Sequence, residues 1–173
     1  MTTFRIALAN LPYPSTPAEA VSLAEQAIAQ AATEGAALAC FPECFIPGYR
    51  APGKPVPPHD PAFMERAWAA RRGAQVVFHP HFGEAEPGAY RPTTFMDPAN
   101  TFHEKAIACR AAENTCFVAS VNCAGEGSPT TSAVASPDGT VLAWQPYGKA
   151  GLLVVDLDLD EATGSLARRC RMA

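Results

Sequence analysis

Long hydrophobic runs are missing from this chain of 173 residues. No stretch approaches the roughly 20 apolar residues that a membrane-spanning helix needs, so no membrane partner is expected. Positive charge is also scarce: the formal net charge is -4 and the sequence pI about 5.5, which argues against a nucleic-acid partner. The opening residues 1–10 carry Arg5 in the middle of a short strand-like run and do not read as a secretory leader, so a cytoplasmic location is expected. None of the six cysteines (Cys40, Cys44, Cys109, Cys116, Cys123, Cys170) forms a C-x-x-C pair. A structural zinc site is disfavoured on that ground, and buried free thiols are expected instead of disulfides. No repeat is visible and no cofactor is implied. Lysine is limited to Lys54, Lys105 and Lys149, and no cysteine lies between Cys44 and Cys109.

What is present reads as one α/β domain with enough apolar residues, 48%, for a single core. Residues 4–10 form an apolar strand. Thr16-Pro17-Ala18-Glu19 then supplies an N-cap, a proline at the first helical position and a capping-box glutamate. The helix that follows places Ala20, Val21, Ala24, Ala27, Ile28 and Ala31 on one face and stops at Gly35. Residues 36–41 form the next strand. A Pro- and Gly-rich loop occupies 44–60, a helix is expected over 61–72, and residues 74–78 form a third strand, making a second β-α-β unit. Thr101-Phe102-His103-Glu104 looks like another capping box, opening a helix through Ala106, Ile107, Cys109, Arg110 and Glu113. A strand over 116–121, a hairpin around Ser136-Pro137-Asp138-Gly139 and a closing strand over 151–157 complete the pattern.

The chemistry centres on Phe41-Pro42-Glu43, where a strand delivers a carboxylate onto an open loop. With Phe45-Ile46-Pro47-Gly48-Tyr49 behind it, this segment resembles the first catalytic segment of the nitrilase, or carbon–nitrogen hydrolase, superfamily. Arg72-Gly73-Ala74 leading to Pro80 resembles the family strand that follows the nucleophile's helix. Arg110-Ala111-Ala112-Glu113-Asn114 resembles its R-A-x-E-N segment, and Ser132 with Ser136-Pro137-Asp138-Gly139 its hairpin. The resemblance covers nearly the whole chain in order. It implies a mixed sheet flanked by helices, a truncated version of the family's α-β-β-α sandwich, and hydrolysis of non-peptide carbon–nitrogen bonds, with an amide favoured over a nitrile. It implies Glu43 as the general base of a Glu–Lys–Cys triad and a possible homodimer.

The departure from the family lies between about residues 60 and 73. There the family holds its catalytic Lys and nucleophilic Cys, whereas this chain has one helix, whose two halves resemble two different family helices. A thiol attack on an amide needs a base, a stabiliser of developing negative charge and the sulfur itself. Only the base is found. Cys44, next to Glu43, would point away from it in an extended segment. His79 and His81, two apart in a strand, share a face; a metal-ligand reading is set aside for substrate-pocket lining. Glu113 is either a pocket carboxylate or a helix-end partner of Arg110. The expected reading is a catalytically incompetent family member. The alternatives are an active amidase with a relocated Cys or completed by another chain, and a non-catalytic protein that binds a small amide or a partner subunit.

Overall fold

The computed structural model describes residues 3–43, 45, 74–83 and 87–165. The strands among them are β1 (Thr3–Asn10), β2 (Leu38–Cys40), β3 (Val76–Pro80), β4 (Phe117–Val121), β5 (Ala133–Ala135), β6 (Val141–Trp144) and β7 (Gly151–Asp158). The helices are α1 (Pro17–Thr33) and α2 (Phe102–Asn114), with a 3-10 turn at Leu159–Glu161. No helix among the described residues is long and apolar enough to cross a membrane.

Two mixed sheets form, in the orders β2-β1-β7 and β3-β4-β5-β6. In the first, β1 runs parallel to β2, with Ile6 opposite Leu38, and antiparallel to β7, with Ile6 opposite Val155. In the second, β3 and β4 are parallel, with Val77 opposite Val118, and β4-β5-β6 is antiparallel. Strand alternation then decides the layers. Ile6, Leu8 and Leu157 of the first sheet meet Phe117, Ala119, Val121 and Val134 of the second in one buried cluster. The opposite face of the second sheet, Val77, Val118, Ala133 and Ala135, lies under Ile107 and Ala111 of α2. Ala24 and Ala27 of α1 cover the outside of the first sheet with Ala9 and Leu11. The order of layers is helix, sheet, sheet, helix, and β4 is buried on both faces. Each fully buried Phe, Leu or Val side chain contributes about 1.5–3 kcal/mol here.

Helix α1 begins as its sequence dictates: Thr16 accepts from the Glu19 amide at 3.1 Å, and the Glu19 carboxylate accepts from the Ser15 amide at 2.7 Å. Its buried stripe is narrower than the apolar pattern suggests. Ala20, Ala24, Ala27 and Ala31 are buried, whereas Val21 and Ile28 are exposed. Small residues let the helix lie close to the sheet, and that approach turns the larger flanking side chains outward. The hairpin holds as expected, with Asp138 accepting from Thr140 N at 2.8 Å and from the Ser136 hydroxyl. Gly139 has φ +88°, and a Cβ there would sit 3.1 Å from the Ala108 carbonyl of α2. The turn is thus packed against the helix as well as bent.

Several expectations are corrected. β2 and β3 do not belong to one β-α-β unit, because they lie in different sheets. Val76, Phe78 and Cys40 all pack on the core between the sheets, so the chain crosses the sandwich from one layer to the other. β2 is also shorter than 36–41 and only half-buried. Cys116 and Cys123 are buried thiols as expected, but Cys109 is exposed and Cys40 intermediate. The helix over 61–72, the loop over 46–60, Cys44 and Cys170 lie outside the described residues.

The capping box at 101–104 does not form. Thr101 makes no side-chain cap, and Glu104 turns inward to become fully buried. Its carboxylate accepts from Met96 N at 2.7 Å, from Asn100 Nδ2 at 2.9 Å and from the Tyr147 hydroxyl. Three donors outcompete one capping amide, and they tie the 94–100 segment, α2 and the β6–β7 connection together. Burial and the adjacent Glu104 carboxylate hold the Tyr147 hydroxyl protonated by pushing its pKa up. Glu104→Ala would remove the acceptor of the Met96 amide and the Tyr147 hydroxyl, so a loss of about 3 kcal/mol is expected in urea unfolding. Tyr147→Phe, which removes one donor, should cost roughly 1 kcal/mol.

Candidate functional site

The polar residue that ends β1 and the one just past β4 gather at the same end of the sandwich. Asn10 closes β1, and its Nδ2 donates to the Lys149 carbonyl at 2.6 Å. Its Oδ1 accepts from the Ser132 hydroxyl at 2.8 Å, and Ser132 Oγ in turn accepts from Asn122 N at 3.0 Å. Asn122, just past β4, donates to Ser128 Oγ at 3.0 Å and to the Thr130 carbonyl at 3.1 Å, and accepts from Gly83 N at 2.8 Å. Asn10, Asn122, Ser128, Thr130 and Ser132 are all buried. Each unmade bond here would cost the desolvation of its group, so the network fixes where the segments after β1, β3 and β4 lie. It was not foreseen from the sequence. Its only signal was an asparagine standing directly after each of two apolar runs.

Beside this network lies a group of imidazoles. His79 is in β3 opposite Ser120 of β4, and His81 follows just after the strand. Pro80 does not break the geometry: His81 N still donates to the Val121 carbonyl at 2.9 Å. The two rings share a face, as their spacing predicts, and stack at 5.4 Å between centroids. A third ring, His103 in the first turn of α2, stacks on His81 at 5.9 Å and on Phe102 at 4.2 Å. His103 was not singled out in the sequence, because nothing local shows that α2 sets its first turn against the end of β3. The Ser120 hydroxyl lies 3.0 Å from His81 Nδ1 and donates to the His79 carbonyl at 3.2 Å. His81 Nε2 lies 3.3 Å from Thr130 Oγ1. No group of three His, Cys, Asp or Glu side chains among the described residues has a geometry that could hold a metal ion.

Burial, with His79 and His103 beside it, pushes the His81 pKa down to about 4. Burial also lowers that of His79, aided by His103 and Arg110, while Glu43 acts in the opposite direction. Two cationic rings at the 5.4 Å spacing of His79 and His81 would repel by about 3 kcal/mol at an effective dielectric near 20. The neutral state is therefore the stable one at pH 7.

Glu43 is exposed on the turn after β2, where Phe45 N donates to the Pro42 carbonyl at 3.3 Å. Its charge acts on His79, favouring the protonated ring. Glu113 is exposed near the other end of α2 and pairs with Arg110 at 3.4 Å, the helix-end contact its spacing allowed. Of the lysines, Lys105 Nζ donates to the carbonyls of Asn100 and Pro98 at 2.5 and 3.2 Å, and the Lys149 side chain is exposed. Burial raises the pKa of Cys40 to about 11 and of Cys123 to about 12, and that of Cys116 also rises. None of these three thiols is primed as a thiolate.

The profile of the family described as Carbon-nitrogen hydrolase matches residues 5–72 and again 63–165. The chain belongs to that family. Its fold is similar to that of an amidase from Nesterenkonia sp., with a TM-score of 0.63 at 21% identity, covering 96% of this chain and 95% of the other. A cysteine-to-alanine mutant of the Nesterenkonia AN1 amidase, described as of the nitrilase superfamily, gives 0.66 at 20% identity and covers 97% and 94%. A glutamate-to-glutamine mutant from the same organism, in which acrylamide has added to the active-site cysteine, gives 0.63 at 21% and covers 96% and 99%. No curated protein matches.

The low His81 pKa fixes a sign. The unfolded chain takes up a proton as pH falls below about 6.5, whereas folded His81 does so only near 4. Its contribution to stability is thus complete above about 6.5 and is lost as pH falls through 4, amounting to about 3 kcal/mol. Denaturant midpoints measured from pH 7 to 4 should fall, and His81→Gln should flatten that fall.

Proposed function

We propose that this protein is a shortened carbon–nitrogen hydrolase that does not turn over amides. The observation that carries the reading is that, among the described residues, no thiol is hydrogen-bonded to Glu43. The Cys40, Cys116 and Cys123 thiols are held protonated, and the Lys105 ammonium is engaged by backbone carbonyls on α2's flank. Glu43 is assigned the family's base position, and His79 and His81 the wall of the pocket beside it. The overlap of the two profile matches over residues 63–72 supports a missing central segment, because one short stretch answers to two separate parts of the family. The similar structures are amidases, one with butyramide bound, so the lineage favours an amide over a nitrile. A cytoplasmic place belongs to the same reading.

Ammonia release from a panel of aliphatic amides and nitriles should not exceed that of Glu43→Ala. Turnover abolished both by Glu43→Ala and by thiol alkylation would instead establish a relocated cysteine. Turnover appearing only on mixing with a second chain would establish completion in trans.

The thiols give an independent check. A water-soluble thiol reagent should label Cys109 rapidly, and Cys116 and Cys123 only after denaturant is added. Rapid labelling of Cys123 in the folded protein would contradict its buried, protonated state.

A further inference from the structure

β7 is the outer strand of the first sheet and runs unbroken for eight residues, each opposite a residue of β1. Strand edges in stable monomers are blunted by shortness, bulges, prolines or charges. β6, the outer strand of the second sheet, is four residues long, and its register with β5 is shifted. β7 has neither device, and residues 151–155 carry no proline and no charge. Its edge is also open. Ile6, Ala7, Leu8 and Ala9 of β1 are 0% exposed, whereas Val155, Val154, Leu153 and Leu152 opposite them are partly exposed. Both strands lie between the same core and α1, so the difference arises at the free side of β7. We propose that this edge is a self-association surface. Two copies pair their β7 strands antiparallel about a two-fold axis, and the two first sheets become one.

The backbone fixes how the copies meet. Arg5 turns its carbonyl toward β2, where it accepts from Ala37 N at 2.9 Å. Alternation then turns Phe4, Ile6 and Leu8 toward β7, so Leu157, Val155 and Leu153 spend their N–H and C=O groups on β1. The N–H and C=O groups of Leu152, Val154 and Asp156 point away from the sheet and bond to no other described residue. Donors and acceptors at every second residue are what an added antiparallel strand needs. With the axis at Val154, that residue faces its own copy, and Leu152 faces Asp156 of the second copy. The same three residues then satisfy one another on both sides, which is the self-complementarity a two-fold interface requires. A second copy of this chain is the occupant for that reason. Asp156 also keeps its own Arg5 at 2.6 Å, so the pairing does not strip it of its counter-ion. Leu142 and Trp144 add apolar surface at the same margin. Both are exposed on β6, and the Gln145 side chain just after it lies against Gly151 at the start of β7. The surface does not depend on whether the chain hydrolyses anything.

Sedimentation of the full chain over a dilution series should show a dimer that dissociates to monomer. Val154→Pro removes an N–H that serves only the outer edge, and proline is tolerated on an edge strand. It should weaken the dimer at least about tenfold while the far-ultraviolet circular dichroism of the fold is retained. Residue-resolved hydrogen exchange on the wild-type chain gives a reading that does not depend on the variant folding. The Leu152, Val154 and Asp156 amides should be protected where the dimer sediments and lose at least about tenfold of that protection on dilution to monomer. The Leu153 and Val155 amides, bonded to β1, should stay protected at both concentrations. A monomer at every concentration, a dimer equally tight in a folded Val154→Pro, or outward amides whose exchange ignores concentration would each overturn the proposal.

Discussion

The contact of Ile6, Leu8 and Leu157 with Phe117, Val121 and Val134 across the sandwich is the constraint on which the rest of the structure depends. Each sheet is narrow and could not bury its inner face alone; pairing the two closes one core and leaves each outer face to a helix. That arrangement brings the ends of β1 and β4 to one place, where Asn10, Ser132 and Asn122 must satisfy one another because water is excluded. The candidate site is therefore a consequence of the core. Strands of the two sheets can gather their polar ends at one edge only because their apolar runs have packed.

The same logic identifies the elements that hold the sandwich together. The elements that bury apolar surface are β1, α1, the β3–β4 pair, α2 and the hairpin. The polar network joins the ends of β1 and β4 beside them. The Arg5–Asp156 pair, bidentate at 2.6 and 2.7 Å, joins β1 to β7, and Arg5 also donates to the Glu34 carbonyl.

Much of the fold was legible in the sequence, because β1, α1, the hairpin and β7 are marked by local signals: apolar runs, a threonine cap, a Pro-Asp-Gly turn. The nitrilase-like motifs named the layered architecture. Strand partners were not legible, since the runs of β2 and β3 are both apolar and neither says which neighbour it will take. The direction of Glu104 was hidden for a related reason. Its capping position was local, but Met96, Asn100 and Tyr147, which captured it, come from three places along the chain. At the site, Glu43, His79 and His81 could be named from their own segments, whereas His103 joined them only through the docking of α2.

The central claim is that Glu43 stands without a nucleophile. It is tested most directly by intact-protein and peptide mass spectrometry after incubation with fluoroacetamide and with acrylamide, reagents that label the active-site cysteine in the structurally similar amidase. The account predicts adducts confined to exposed thiols such as Cys109 and formed equally in Glu43→Ala. An adduct on Cys44 or any other single cysteine that forms quickly in the wild-type protein and disappears in Glu43→Ala would contradict it.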